Sequence, residues 1–573
     1  MTGPAARPRN MPAAWPPRPS PVLSSPALSS PTLPVPDLPF PRRTLLRRAL
    51  LGGAVLAAAP ALAGCGGLAG TLSTSGIRAV EFDQPLAIPP LAESEASGGV
   101  RRFHLTAQEG SISWPGMPEP TPTWGLNGPF LGPTLRARRG ENVEVTVRNA
   151  LPETTSMHWH GMHLPAAMDG GPHQSIEPGG TWRPSWEIDQ PAATLWYHPH
   201  PHGATERHVY QGLAGLFLID DERSDSVRLP REYGVDDIPL IIQDRRVDEE
   251  GRLVLEDSGR EPGMLGDTIM VNGTIGPVLE VAAQRLRLRL LNGSTARTYA
   301  LALADERPMT MVASDGGLLD APVELSRLRL APGERAEVVV ALTPGETVRL
   351  RSLPVDLGAI AVPALTGADD EFDVLELRAA ASLAPAPEPS WGKDPQPAPL
   401  RAQDAVRTRT FALQGRTING ARMDMRRIDE VVHVGTVEIW EVTNTESVPH
   451  SFHVHDVQFR ILDIDDQAPP DHLAGPQDTV YLEPRRRYRL VLRFDRYADP
   501  AMPYMYHCHM LLHEDGGMMG QFVVIEPGTE DQVAAPGTGG AGHAGHAADG
   551  GHAPDAGHAP DAGHAPDGGH AGH

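Results

Sequence analysis

His507-Cys508-His509-Met510-Leu511-Leu512-His513, with Met518 five positions beyond, sets one soft thiolate inside a frame of imidazoles. On an extended strand successive side chains point to opposite faces, so Cys508 would look one way and His507 and His509 the other. One short peptide could then join two metal sites. A thiolate with two imidazoles and a weak axial thioether is the ligand set of a blue-copper electron-transfer site. His513 and Met518 can fold back to the metal of Cys508, and His450 is the natural second imidazole.

The opposite face of that strand needs partners, and the chain holds them as pairs two residues apart. These are His158 and His160 in His-Trp-His-Gly, His198 and His200 in Trp-Tyr-His-Pro-His, and His453 and His455 in His-Ser-Phe-His-Val-His. Each pair places both rings on one strand face. With His507 and His509 they make eight histidines, enough to hold a cluster of three coppers, for which neutral imidazole is a suitable ligand.

The elements that would carry these residues recur with a period of about 150 residues. Val143-Glu-Val-Thr-Val-Arg-Asn149 returns as Leu286-Arg-Leu-Arg-Leu-Leu-Asn292 and as Glu438-Ile-Trp-Glu-Val-Thr-Asn444. Each is an alternating strand ending in Asn. A second marker repeats in phase at Pro178-Gly-Gly-Thr-Trp, Pro332-Gly-Glu-Arg-Ala and Pro484-Arg-Arg-Arg-Tyr. Histidine pairs follow Asn149 and Asn444, whereas Gly-Ser-Thr-Ala-Arg-Thr-Tyr follows Asn292, so the middle repeat is expected to act as a spacer. Short alternating strands punctuated by 59 Gly and 59 Pro point to β-sandwiches.

Taken together, the motifs between residues 158 and 518 resemble the multicopper oxidases, and among them the bacterial three-domain laccases and periplasmic copper-efflux oxidases. The resemblance implies an all-β chain of three consecutive cupredoxin-like Greek-key β-sandwich domains. It implies four copper ions. The type 1 copper would be held by His450, Cys508 and His513 with Met518 axial, and the type 2 copper by His158 and His453. One type 3 copper would take His160, His198 and His509, and the other His200, His455 and His507. No ligand is missing, although some relatives of this fold have lost theirs. The implied reaction passes single electrons from a reductant at the type 1 copper through the Cys508 peptide to the trinuclear cluster, where four of them reduce dioxygen to two waters. Asp169, in Met168-Asp169-Gly170-Gly171, and Glu514 match acidic positions that the family uses to supply protons. His163, His173, His202 and His208 lie near the motifs and are expected to be ordinary polar residues.

The ends of the chain read as address and tail. Residues 1–41 are Pro-rich, and Arg42-Arg43-Thr44-Leu45-Leu46-Arg47 resembles a twin-arginine export signal. The apolar run Ala49 to Ala63 is too short to span a bilayer and ends in Leu62-Ala63-Gly64-Cys65, which resembles a lipoprotein processing site with Cys65 lipidated. Bacterial export to the periplasm or cell surface is therefore expected, with membrane contact only through Cys65. The two cysteines, Cys65 and Cys508, both have proposed roles, so no disulfide is expected. Residues 1–64 carry seven Arg and one Asp, and without them the formal charge moves from −23 to about −29, which disfavours nucleic acid as a partner. The organisation expected is 1–64 signal region, 76–225 first domain, 235–380 second domain without copper ligands, 381–403 Pro-rich linker, 404–528 third domain and 537–573 His-rich tail, in a monomer. The tail has too little apolar content to fold, and its regular histidines suit scavenging of Cu(II).

Dioxygen is one expected partner; the reductant is the open question. A laccase acting on phenols or aromatic amines needs an open approach to His450, and a cuprous or ferrous oxidase needs soft or acidic groups there. Glu446, Asp424 and Met425 could dock a cation. The stretch Val355 to Leu400 contains no Met, where copper-efflux relatives often carry a Met-rich insertion, and this favours the laccase-like reading. A non-catalytic periplasmic copper-binding protein would need the His tail without the Cys508 connection.

Overall fold

The computed structural model describes residues 77–255, 262–360, 362–391 and 400–534. The expected export signal, Cys65, the His-rich tail and residues 392–399 of the Pro-rich linker lie outside the described residues. Alternation decides the strands. In Asn142–Asn149, Val143, Val145 and Val147 are buried while Glu144, Thr146 and Arg148 are not. Among the described residues the strands assemble into six sheets, which pair face to face as three successive sandwiches. In the first, Phe103 and Val145 of one sheet and Leu195 and Phe217 of the other share a single core. Leu288 and Leu301 meet in the middle sandwich, and Trp440 and Tyr506 in the last. The chain is an all-β succession of cupredoxin-like domains, as expected. Gln84–Pro85, within the stretch assigned to the first domain, adds a parallel edge strand to the middle sandwich beside Pro277 and Val278.

The repeated Asn is a clasp. Asn149, Asn292 and Asn444 are fully buried. Each Nδ2 donates to two carbonyls, those of Glu153 and Ile176, Arg297 and Leu330, or Val448 and Leu482. Each Oδ1 accepts the backbone N–H two residues on, at Leu151, Ser294 or Glu446. A buried amide with all these groups satisfied holds a loop to the strand before the second marker. The second marker is a turn through the left-handed region, with φ of 77° at Gly179, 86° at Gly333 and 62° at Arg485.

The middle repeat departs from simple alternation. In Arg285–Asn292, Arg287 and Arg289 are buried instead of facing water. The middle domain pairs them itself, Arg289 with Asp237 and Glu337 and Arg287 with Glu337, and the first domain meets that face through Thr194, whose Oγ1 donates to Glu337 at 2.6 Å. A charged strand face becomes a domain junction because every buried charge has a partner.

Candidate metal centre

Strand pairing aligns the candidate ligands. Tyr504–Cys508 runs antiparallel to His450–Val454, with Cys508 opposite Phe452 and His507 opposite His453. His158–His160 runs antiparallel to Ala193–His198, with His158 opposite His198. Cys508 therefore points into the third domain's core while His507 joins the other histidines.

Cys508 Sγ lies 3.5 Å from His450 Nδ1 and 3.6 Å from His513 Nδ1, and the two nitrogens are 3.2 Å apart. A metal with bonds of about 2.0 Å to nitrogen and about 2.3 Å to sulfur spans edges of this length at open angles. Burial pushes the Cys508 thiol up to about 12, so thiolate here requires a cation to replace the proton. Met518 is buried in the same core, and its carbonyl accepts the Cys508 N–H at 3.0 Å. His513 lies on the short helix Leu511–Asp515. Leu511, Leu512 and Glu514 favour helix, and Gly516 ends it.

The remaining eight histidines converge. His160, His198 and His509 form one group and His200, His455 and His507 another, each with its candidate ligand atoms within 4.8 Å of one another. His158 and His453 form a third group that shares His160. All eight are buried, and His158 Nε2, His453 Nε2 and both ring nitrogens of His509 have no hydrogen-bond partner. Orphaned buried nitrogens facing one another are costly unless a cation fills the space. Burial also lowers the pKa of His160, His198, His200, His453, His455 and His509, to about 4 at His200 and about 3 at His509, leaving neutral imidazoles. These residues fit copper.

Acidic groups back the rings. His455 Nδ1 is 2.7 Å from Asp169 Oδ2, and His158 Nδ1 meets the Asp169 carbonyl at 3.0 Å. Gly170 follows with φ of 80°, and a Cβ there would overlap the Met157 carbonyl, so only glycine lets Asp169 approach this closely. Glu514 faces His507 Nδ1 at 3.1 Å and His200 Nδ1 at 3.4 Å. Burial works against its charge, yet the His200 and His507 rings hold its pKa well below the usual carboxylate range. Asp478 and Thr479 escaped sequence reasoning: Asp478 Oδ1 and Thr479 Oγ1 each lie 3.0 Å from His160 Nε2. No local pattern marks them, for His160 is 318 residues away from Asp478.

The other histidines stand apart from these groups. His163 pairs with Asp189, His173 with Gln521 and His208 with Glu153, while His202 is exposed. At the outer edge of the Cys508 site, Glu446 Oε1 lies 3.0 Å from His450 Nε2 and accepts the Gly415 N–H. The loop of Asp424 and Met425 does fold over the neighbouring segment: Met423 N donates to Gly517 O and Gln521 Nε2 to Asp424 O.

Comparison with known proteins gives the same picture. Three models described as multicopper oxidase match residues 106–224, 247–351 and 393–528. The multicopper oxidase mco of Staphylococcus haemolyticus is 36% identical over 450 residues, covering 77% of this chain and 92% of that protein. The cell division protein FtsP of Xenorhabdus nematophila is 38% identical over 455 residues, covering 77% and 93%. A solved structure of a bacterial laccase-like multicopper oxidase, CueO from a lignin-degrading Ochrobactrum, superposes with a TM-score of 0.70 at 37% identity, covering 77% of this chain and 100% of that one.

Proposed function

The chain belongs to the multicopper oxidase family, an oxidoreductase family that uses copper, dioxygen and a reductant, and from that premise we propose a laccase-like oxidase of phenols and aromatic amines. The observation that carries this reading is the pair of ligand groups joined through one peptide at Cys508. We assign His450, Cys508, His513 and Met518 to a type 1 copper, His158 and His453 to a type 2 copper, and the two remaining histidine triads to type 3 coppers. Copper bound in these sets would take electrons singly at Cys508 and deliver four to dioxygen.

The chain's own residues shape that traffic. His450 is buried, with Nδ1 turned inward to Cys508 and Nε2 outward to Glu446, whose side chain is 23% exposed, so a reductant at the surface would meet Glu446 and pass its electron to the imidazole behind it. Inside, the Cys508 carbonyl accepts from His507 Nδ1 at 3.2 Å, which adds a hydrogen-bonded shortcut to the covalent route. Asp169 and Glu514 set carboxylate groups beside His455, His507 and His200, where they would relay protons to reduced oxygen.

A phenolic reductant is favoured over a metal ion by charge. Arg416 packs against Gly516 and Arg422 against Gly517, both between His513 and Met518. Among the described residues neither arginine pairs with a carboxylate, whereas Glu446 is occupied by His450 and Gly415. Unpaired guanidinium groups attract phenolates and repel Cu(I) and Fe(II). A cuprous or ferrous oxidase acting through Asp424 and Met425 is the second reading. Oxygen uptake with a phenol and with Cu(I) separates them. A double reversal, Arg416→Glu with Arg422→Glu, should lower kcat/KM for the phenol on the order of 10-fold and raise it for Cu(I). Wild-type uptake with Cu(I) alone would reverse the assignment. We also propose export by the twin-arginine route with a lipid on Cys65, supported by the residues around it; mass spectrometry of the mature N-terminus tests this.

A further inference from the structure

Six of the eight clustered histidines turn Nδ1 to a carbonyl or carboxylate and leave Nε2 facing the cluster. His160 is reversed. Its Nε2 is held by Asp478 and Thr479, and Nδ1 faces His198 Nε2 at 3.4 Å. Whatever holds Asp478 therefore decides which nitrogen His160 offers.

That holder comes from the middle domain, the one expected to be a spacer. Arg335 is fully buried at the start of Arg335–Ala341, just after the Pro332-Gly333-Glu334 turn. Its Nη1 and Nη2 each donate to one Asp478 carboxylate oxygen at 2.6 Å. Nε donates to Thr194 O, on the strand that leads to His198, while Nη1 also reaches Gly333 O and Nη2 reaches Asp315 O. All five guanidinium N–H groups are thus used, which no other side chain could reproduce. Two glycines make room. A Cβ on Gly161, the residue after His160, would come within 2.8 Å of Arg335 Nη2, and one on Gly333 within 3.0 Å of the His509 ring. Both glycines have positive φ, 83° and 86°.

We propose that Arg335 is a positioning residue for the trinuclear site: it clamps Asp478 so that His160 presents Nδ1, and it ties the strand of His198 to the same point. The inference rests on the copper assignment above. A buried carboxylate stripped of its guanidinium turns to other donors, and His160 is then free to rotate. A purely scaffolding arginine would instead weaken both copper sites together.

The experiment uses the full-length exported protein, loaded with copper and compared as wild type, Arg335→Gln, Arg335→Lys and Asp478→Asn. The readouts are copper per chain, blue absorption and oxygen uptake. In all three variants the blue absorption of the Cys508 site should persist while affinity for the histidine-held coppers falls roughly 10–100-fold and oxygen uptake falls with it. Lysine should fail to rescue because it lacks the fork. Wild-type copper content in Arg335→Lys or Asp478→Asn, or parallel loss of blue absorption and the other coppers in Asp478→Asn, would overturn the proposal. A wild type that bound no copper would instead defeat the oxidase assignment itself.

Discussion

Cys508 is the residue on which both halves of the proposed reaction depend. Its side chain completes one ligand triangle, and its backbone carries His507 toward the other group. Cys508→Ser should abolish the blue absorption and the oxygen uptake together, while the histidine-held coppers remain measurable by metal analysis. Glu514 acts at the same scale. Glu514→Gln keeps shape and removes the charge between His200 and His507, so copper content should hold while oxygen uptake drops on the order of 10-fold or more. Unchanged uptake would remove Glu514 from proton delivery. The ligand-type residues were legible because strand geometry turns i, i+2 spacing into a shared face. Asp478 and Arg335 were not, since their roles arise from contacts 318 and 143 residues apart that carry no local periodicity.

At the scale of elements, the repeated Asn explains why the same strand and turn serve three domains. Asn292→Ala would strand the Arg297 and Leu330 carbonyls and the Ser294 N–H in a buried place. It should cost on the order of 2–4 kcal/mol in denaturant unfolding, with ligand identity untouched. Asn444→Ala should do the same and also disturb the type 1 site, because Asn444 Oδ1 fixes the Glu446 N–H on the loop that leads to His450; redox titration of the blue absorption would show it. Sequence periodicity revealed the alternating strands and their Asn ends. It could not reveal the helix of His513, since five residues are too few for a helical period to emerge.

At the scale of the whole molecule, the middle domain works through its junctions. Its strand Arg285–Asn292 alternates like an ordinary half-exposed strand, and its arginines are buried because Asp237 and Glu337 pair with them and Thr194 of the first domain closes over the pair. Burial opposes the Glu337 charge there, yet Arg287 and Arg289 outweigh it and hold the carboxyl at about 2, down from 4.5. A depressed folded value means that this stability is present above the unfolded value and is lost as pH falls from about 4.5 through 2. Glu337→Gln should therefore flatten the acid limb of the melting-temperature profile in that window. The most direct test of the oxidase assignment is oxygen uptake by the copper-loaded wild type, with copper counted on the same sample. About four coppers per chain, a blue chromophore and one dioxygen consumed for every four phenol electrons are expected. A fully copper-loaded protein that consumes no dioxygen with any phenol, aromatic amine, Cu(I) or Fe(II) would contradict it.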